Sequence, residues 1–309
     1  MRVAIFGTGG VGGYFGGLLA RADHDVVFIA RGQHLAAMRK YGLQVKSPHG
    51  DFHLKNIVAT DNPAEVGPVE YLIVAVKHYQ LQEAAGRMQP LIDAQTIILP
   101  LLNGVDAHEI LISSLGSHQV VGGFCSISTM VEAPGVIRQA SQLRRIVAGE
   151  LDKCPDPRLS RIIAAWGGCG VDAVHSLDIF VDIWTKFLFI ASFGSVSSLA
   201  RASVGEILRI PQTRTLLVNA MREIEALAHA QGMMLAPDAV EETMKLLEGL
   251  EPTITSSMQR DVASGRPFEL EAFSGKIVQL GRASNVPTPT YDLVDGLLRP
   301  ALLRSLEHA

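Results

Sequence analysis

Arg2-Val3-Ala4-Ile5-Phe6-Gly7-Thr8-Gly9-Gly10-Val11-Gly12 opens the chain and decides its fold. Val3–Phe6 is apolar at successive positions, as a strand reads when helices cover both faces of its sheet. G-x-G-x-x-G follows at once, and a helix-like stretch, Gly12–Ala22, follows the glycines. Each glycine has a physical task. Gly7 permits the tight turn, Gly9 lets a pyrophosphate approach the backbone, and Gly12 lets helix and strand pack closely. The helix then aims its N-terminal amides at the anion. Glycines also mark ordinary turns, so it is the setting within a β-α-β unit that turns the pattern into a dinucleotide site.

The same rhythm continues outward. Val26–Ala30, Tyr71–Val76, Thr96–Leu101, Val120–Phe124 and Arg145–Gly149 read as further strands, with helical stretches at Gln80–Met88 and Ala107–Ser114. Alternation of this kind predicts a parallel, doubly wound Rossmann-type sheet. Gly42–Val58, with Ser47-Pro48-His49-Gly50-Asp51 at its centre, breaks the rhythm and predicts an inserted β-hairpin. After about Val174 strand-like runs vanish. Pro211–Gly232, Pro237–Leu250, Phe268–Ala283 and Tyr291–Ser305 carry a 3.6-residue period instead, and Pro and Gly bound the first of them as helix signals do. The expectation is an α/β protein with an NADP-binding Rossmann domain over residues 1–176 and an all-helical substrate or dimerisation domain over 177–309. No flexible linker separates them, so a tight packing with a cleft for a small molecule is expected. The apolar sides of the C-terminal helices suit either a homodimer face or the domain's own core.

The tip of the second strand selects the cofactor. An acid there would accept from a ribose 2′-hydroxyl and repel a 2′-phosphate. Here Val26–Ala30 runs into Arg31, whose guanidinium matches a phosphate in charge and fork geometry, so NADP is favoured over NAD. Lys77 and Asn103-Gly104 follow two other strands, at the sheet edge where open α/β sheets hold ligands. Lys77 suits a charge near the cofactor, and Asn103 suits a hydrogen bond to a ribose, a carboxamide or a substrate. An ordinary surface lysine and a turn asparagine are the bland alternatives.

Composition narrows the function further. Acids outnumber bases 31 to 27, so no basic excess exists to grip nucleic acid or an anionic membrane. Hydrophobic residues at 48% supply a core and exclude a disordered chain. Cys125, Cys154 and Cys169 form neither a disulfide framework nor a metal pattern, which fits a cytoplasmic protein. The ten histidines show no ligand spacing, and His78, beside Lys77, is given at most a supporting part. Apolar runs such as Tyr71–Val76 fall far short of a membrane span, and Arg2–Phe6, read directly as a strand without signal-peptide anatomy, leads to the expectation of an unexported protein.

In the second half, Trp184-Thr185-Lys186-Phe187-Leu188 sets one lysine in a strongly apolar helical stretch. Desolvating an ammonium is costly without a purpose or partner. Such a cation can polarise a carbonyl and donate a proton as hydride arrives, although a lysine that snorkels to solvent would read the same way. Ser256-Ser257-Met258-Gln259-Arg260-Asp261 is followed by Glu269. Ser257 could seat a carboxylate, Arg260 or Arg266 could add charge, and Glu269 could bond substrate, ribose or Lys186. The bland alternative is a helix-capping serine and a solvated glutamate.

Taken in order, Gly7–Gly12, Val76-Lys77, Leu102-Asn103-Gly104, Trp184-Thr185-Lys186 and Ser256-Ser257-Met258 with its glutamate resemble the ketopantoate reductase (2-dehydropantoate 2-reductase) family over nearly the whole chain. The resemblance implies NADPH-dependent reduction of a 2-oxo acid to a 2-hydroxy acid, first of all ketopantoate in pantothenate biosynthesis. It implies that Gly7, Thr8, Gly9, Gly10, Val11, Gly12, Arg31, Lys77, Asn103 and Glu269 hold NADPH. It further implies that Asn103, Lys186 and Ser257 hold the substrate and that Lys186 and Glu269 are catalytic. One and two turns past Lys186 the family carries asparagines that hold the substrate's polar groups; this chain has Ile190 and Gly194, with Ser192, Ser195 and Ser197 on other faces or turns. A reductase of a more apolar 2-oxo acid is therefore the alternative. A β-hydroxyacid or opine dehydrogenase, and a non-catalytic NADPH-binding sensor, are the remaining rivals.

Overall fold

The computed structural model describes residues 1–116 and 119–307. They form two compact units: residues 1–102 with 106–116 and 119–179, and residues 103–105 with 180–307. The strands in chain order are β1 (Arg2–Phe6), β2 (Asp25–Ile29), β3 (Leu43–Lys46), β4 (Phe52–Leu54), β5 (Val58–Thr60), β6 (Tyr71–Val74), β7 (Ile97–Pro100), β8 (Gly122–Ala133), β9 (Val136–Gly149) and β10 (Asp172–His175). The helices of the first unit are α1 (Gly10–Arg21), α2 (Gly32–Tyr41), α3 (Leu81–Ala85), α4 (Ala107–Leu115) and α5 (Pro157–Gly168).

The first unit is built on a five-stranded parallel sheet, ordered β5-β2-β1-β6-β7. Alternation along each strand divides its core. Val3, Ile5, Phe28, Tyr71, Ile73 and Leu99 enter one buried cluster, and Ala4, Phe6, Val27, Leu72, Val74 and Ile98 enter the other. The chain winds from β1 toward β5, then crosses back to β6 and β7. The strand order therefore reverses between β1 and β6, where doubly wound sheets open a crevice at their carboxyl ends. Those two strands lead into Gly7 and Lys77 respectively.

The structure differs from the sequence reading at the last two apolar runs. Val120 does bridge to Ile98 beside the first sheet, but Phe124 and Arg145–Gly149 belong to a second sheet, ordered β10-β9-β3-β4 with β8 antiparallel to β9. The reason lies in burial: β8 is buried only at its start and β9 most continuously at its end. Over the rest of each strand buried and exposed positions mix, with Ile137 buried and Met130, Val131 and Leu143 exposed, so only the continuously buried ends looked like strands. The inserted hairpin forms as β3 and β4, while Val58 passes on into β5 of the first sheet. Helix α1 packs against both sheets. A Cβ on Gly16 would come within 2.6 Å of Ile5 in β1, and one on Gly13 within 2.7 Å of Ile137 in β9.

The second unit is helical: α6 (Ile179–Ala200), α7 (Val204–Arg209), α8 (Pro211–Ala230), α9 (Ala239–Glu248), α10 (Ser257–Ala263), α11 (Lys276–Ser284) and α12 (Pro289–Glu307). Helix α6 corrects the expectation about apolar length. Its 22 residues carry only Asp182 and Lys186 as charges, and by length and composition it could cross a bilayer. Most of that stretch is buried inside the protein. The run expected as one helix over Phe268–Ala283 instead contains a π turn at Glu271–Gly275, with Gly275 N–H donating to Leu270 O at 3.0 Å. Such turns interrupt helices and cluster at functional places.

Candidate active site

In the first unit the glycine-rich turn has the geometry that a phosphate requires. Gly7 stands at φ +98°, where a side chain is strained, and a Cβ there would lie 2.8 Å from both Ala75 O and Val76 Cγ1. A Cβ on Gly12 would lie 2.2 Å from Gly7 O, so helix and strand meet only because nothing is there. On Gly9 a Cβ would meet no atom within 4 Å. The turn is thus closed on its protein side and open above Gly9, at the N-terminus of a helix with no acid in its first turn. These residues fit a pyrophosphate. Thr8 is buried and ties the turn to β2 through Ile29 O, to which its backbone N–H (3.2 Å) and its hydroxyl (3.1 Å) both donate. Val11 is half-buried in the helix's first turn.

Arg31 is exposed and caps the N-terminus of α2, two residues past the end of β2. Lys77 is half-buried and stands just before a short 3₁₀ turn over His78–Gln80. His78 Nε2 lies 2.6 Å from Asp106 Oδ1, which ties the loop after β6 to the start of α4. Sequence reasoning missed His34. Its Nδ1 accepts from the Gly135 N–H at 3.0 Å, and burial holds its pKa below the ordinary 6.5. An imidazolium could not accept that bond, so the stability from this tie is whole above about pH 6.5 and falls as the pH drops through the lowered folded value. In thermal melts against pH, His34→Gln should flatten that acidic decline. An unchanged decline would remove His34 from the account.

In the second unit the structure brings Asn103, Lys186 and Glu269 together. Asn103 follows β7 in the chain but groups with the helices. Lys186, half-buried in α6, donates from Nζ to Asn103 Oδ1 at 2.9 Å. Asn103 Nδ2 in turn faces Glu269 Oε2 at 3.4 Å. The amide thus presents its oxygen to the ammonium and its nitrogen to the carboxylate. Glu269 is only 5% exposed, which overturns the solvated-glutamate alternative, and Lys186 has a partner rather than a head in open solvent.

Ser257 lies exposed in the first turn of α10, and it is Ser256 that caps this helix, accepting from Gln259 N–H at 3.0 Å. The serines of α6 are spent internally. Ser192 Oγ donates to Leu188 O at 2.6 Å, Ser195 pairs with Ser274 at 3.2 Å, and Ser197 pairs with Ser256 at 2.8 Å. They do not stand in for the missing asparagines. Arg266 is paired with Asp261, while Arg260 donates to Thr255 O at 2.7 Å. Cys125 is buried and donates weakly to Leu101 O, as a small core residue does.

Comparison with known proteins now bears on this geometry. The family described as "Ketopantoate reductase PanE/ApbA" matches residues 3–153, and its C-terminal counterpart matches residues 178–301. The chain belongs to the ketopantoate reductase family. An uncharacterized oxidoreductase, YkpB of Bacillus subtilis, is 28% identical over 294 residues, covering 95% of this chain and 96% of that one. The 2-dehydropantoate 2-reductase of Mesorhizobium japonicum is 28% identical over 320 residues, covering 97% of each. A ketopantoate reductase crystal structure from Ralstonia eutropha superposes with a TM-score of 0.91 at 28% identity, covering 99% of this chain and all of the other. The chain is accordingly an oxidoreductase, its reaction class the reduction of a 2-oxo acid with a nicotinamide cofactor.

Proposed function

We propose that this protein reduces a 2-oxo acid to the 2-hydroxy acid with NADPH, and that ketopantoate, which relatives' names put first, is the first substrate to test. That activity would place it in pantothenate biosynthesis. One observation carries the reading: a lysine in a largely apolar helix, aimed by an asparagine whose other side faces a buried carboxylate. NADPH supplies the hydride when bound. Lys186, as an ammonium, donates a proton from Nζ to the C2 oxygen as that oxygen gains charge. Asn103 Oδ1 orients Nζ, and Glu269 offsets the positive charge. Ser257 seats the substrate through its hydroxyl. Gly7–Gly12, Arg31 and Lys77 hold the cofactor, and Asn103 and Glu269 contribute at its reactive end. A cytoplasmic setting accords with three free cysteines.

The test follows NADPH absorbance with ketopantoate and a panel of other 2-oxo acids. Oxidation with at least one of them is expected. Silence across the panel, with NADPH still bound, would favour the sensor reading. NADPH is preferred to NADH here because no acid stands at the tip of β2 and Arg31 is free to meet a 2′-phosphate. Losing a charge-assisted bond of about 1.5–3 kcal/mol should cut NADPH preference roughly 10- to 100-fold in Arg31→Ala. Equal kcat/KM for NADPH in wild type and variant would refute that role.

A further inference from the structure

The face of α6 beyond Lys186 offers hydrocarbon. Ile190 lies one turn on, about 6 Å along the axis, and is half-buried. Gly194 lies two turns on and is buried. The space beside Gly194 is already taken: a Cβ there would lie 3.1 Å from Phe273 Cε2 and 3.4 Å from its Cδ2. Phe273 comes from the π turn that follows Glu269, and its backbone N–H donates to Glu269 O at 3.2 Å. Its ring is 2% exposed and meets Phe187 edge-on, with centroids 6.0 Å apart. The Glu269 carboxylate and this ring are therefore delivered by one turn of chain, the first to Asn103 and the second to α6. The hydroxyls of Ser192, Ser195 and Ser197 are fully buried and committed elsewhere. Ser198, buried without a partner, is more than three turns away.

We infer that Ile190 and the Phe273 ring seated on Gly194 are specificity determinants, and that they select 2-oxo acids whose side chain carries no hydroxyl. The inference rests on the reductase reading above. A substrate whose C2 oxygen meets Lys186 Nζ and whose side chain runs along α6 meets Ile190 one turn on. A hydroxyl there leaves water and finds no partner on α6. An apolar wall rejects such a group only moderately, by about 10- to 100-fold. Ketopantoate and its 4-deoxy analogue, trimethylpyruvate, isolate that one hydroxyl.

The experiment compares kcat/KM for these two acids with NADPH. Trimethylpyruvate is expected to be favoured at least tenfold. Equal rates, or a preference for ketopantoate, overturn this inference and leave the reductase reading standing. Turnover of neither these nor any other 2-oxo acid overturns both. Ile190→Asn should shift the ratio about tenfold toward ketopantoate, and an unmoved ratio removes Ile190 from the determinant. Gly194→Asn alone should lower Tm because it meets Phe273. Adding Phe273→Ala should lower Tm by less than the two single losses summed, because the clash is relieved, and should move the ratio the same way. A single Gly194→Asn variant as stable as wild type would show that the ring does not hold that place.

Discussion

Lys186→Met is expected to lower kcat by about 10²- to 10⁴-fold, the range that a positioned general acid contributes. Methionine keeps the length and apolar stem that α6 accommodates, so the helix should survive. It carries no proton, and Asn103 Oδ1 loses its 2.9 Å donor. The cation that Asn103 links to the buried Glu269 is removed, a change that should appear as a modest loss of Tm. NADPH binding, measured by fluorescence titration, should change little, because the glycine-rich turn and Arg31 are untouched. The split between a collapsed kcat and a retained cofactor is the informative result. Turnover within a few-fold of wild type would show that another group protonates the product oxygen, and Lys186 would then be a structural lysine.

Gly12→Val should abolish tight NADPH binding and destabilise the first unit. A Cβ at this position sits 2.2 Å from Gly7 O and 2.8 Å from Ile5 Cγ2, and neither a backbone carbonyl nor a core isoleucine can yield cheaply. Overpacking of this kind costs about 1–3 kcal/mol, or a Tm several degrees lower, and it forces helix and turn apart. Gly9→Ala makes the instructive contrast. Its added methyl meets nothing within 4 Å, so the fold should melt as wild type does. The methyl projects where a pyrophosphate must approach, so NADPH Kd should still rise, roughly tenfold or more. Were Gly9→Ala to bind NADPH as tightly as wild type, the phosphate would have to lie elsewhere.

Four of the five strands of the first sheet were legible because they are almost wholly buried and so nearly all apolar, whereas β5, exposed at Val58, was read into the hairpin. The β8–β9 ribbon was lost for the opposite reason: Ser126, Ser128 and Arg138 lie on solvated stretches that no hydrophobic pattern marks. Asn103, Lys186 and Glu269 were legible one by one, as a strand-end asparagine, a lysine among apolar neighbours and a glutamate after a serine pair. Their mutual bonds were not, since 83 residues separate the first two and 166 separate Asn103 from Glu269. Neither could a period count show that the segment after Glu269 takes a π turn. That one extra residue sends Phe273 onto Gly194, and an apparent gap in the site proves to be filled. Gly194 is thus a packed feature of the protein rather than a gap.

Helix α6 has a consequence for how the chain must be made. Its 22 residues emerge before any of α7–α12 exists to cover them. During synthesis the nascent chain therefore presents a segment that insertion machinery would judge by the same measures as a genuine anchor. Fragments ending near residue 205 should collect in detergent micelles. In the folded chain most of that apolar stretch of α6 is buried.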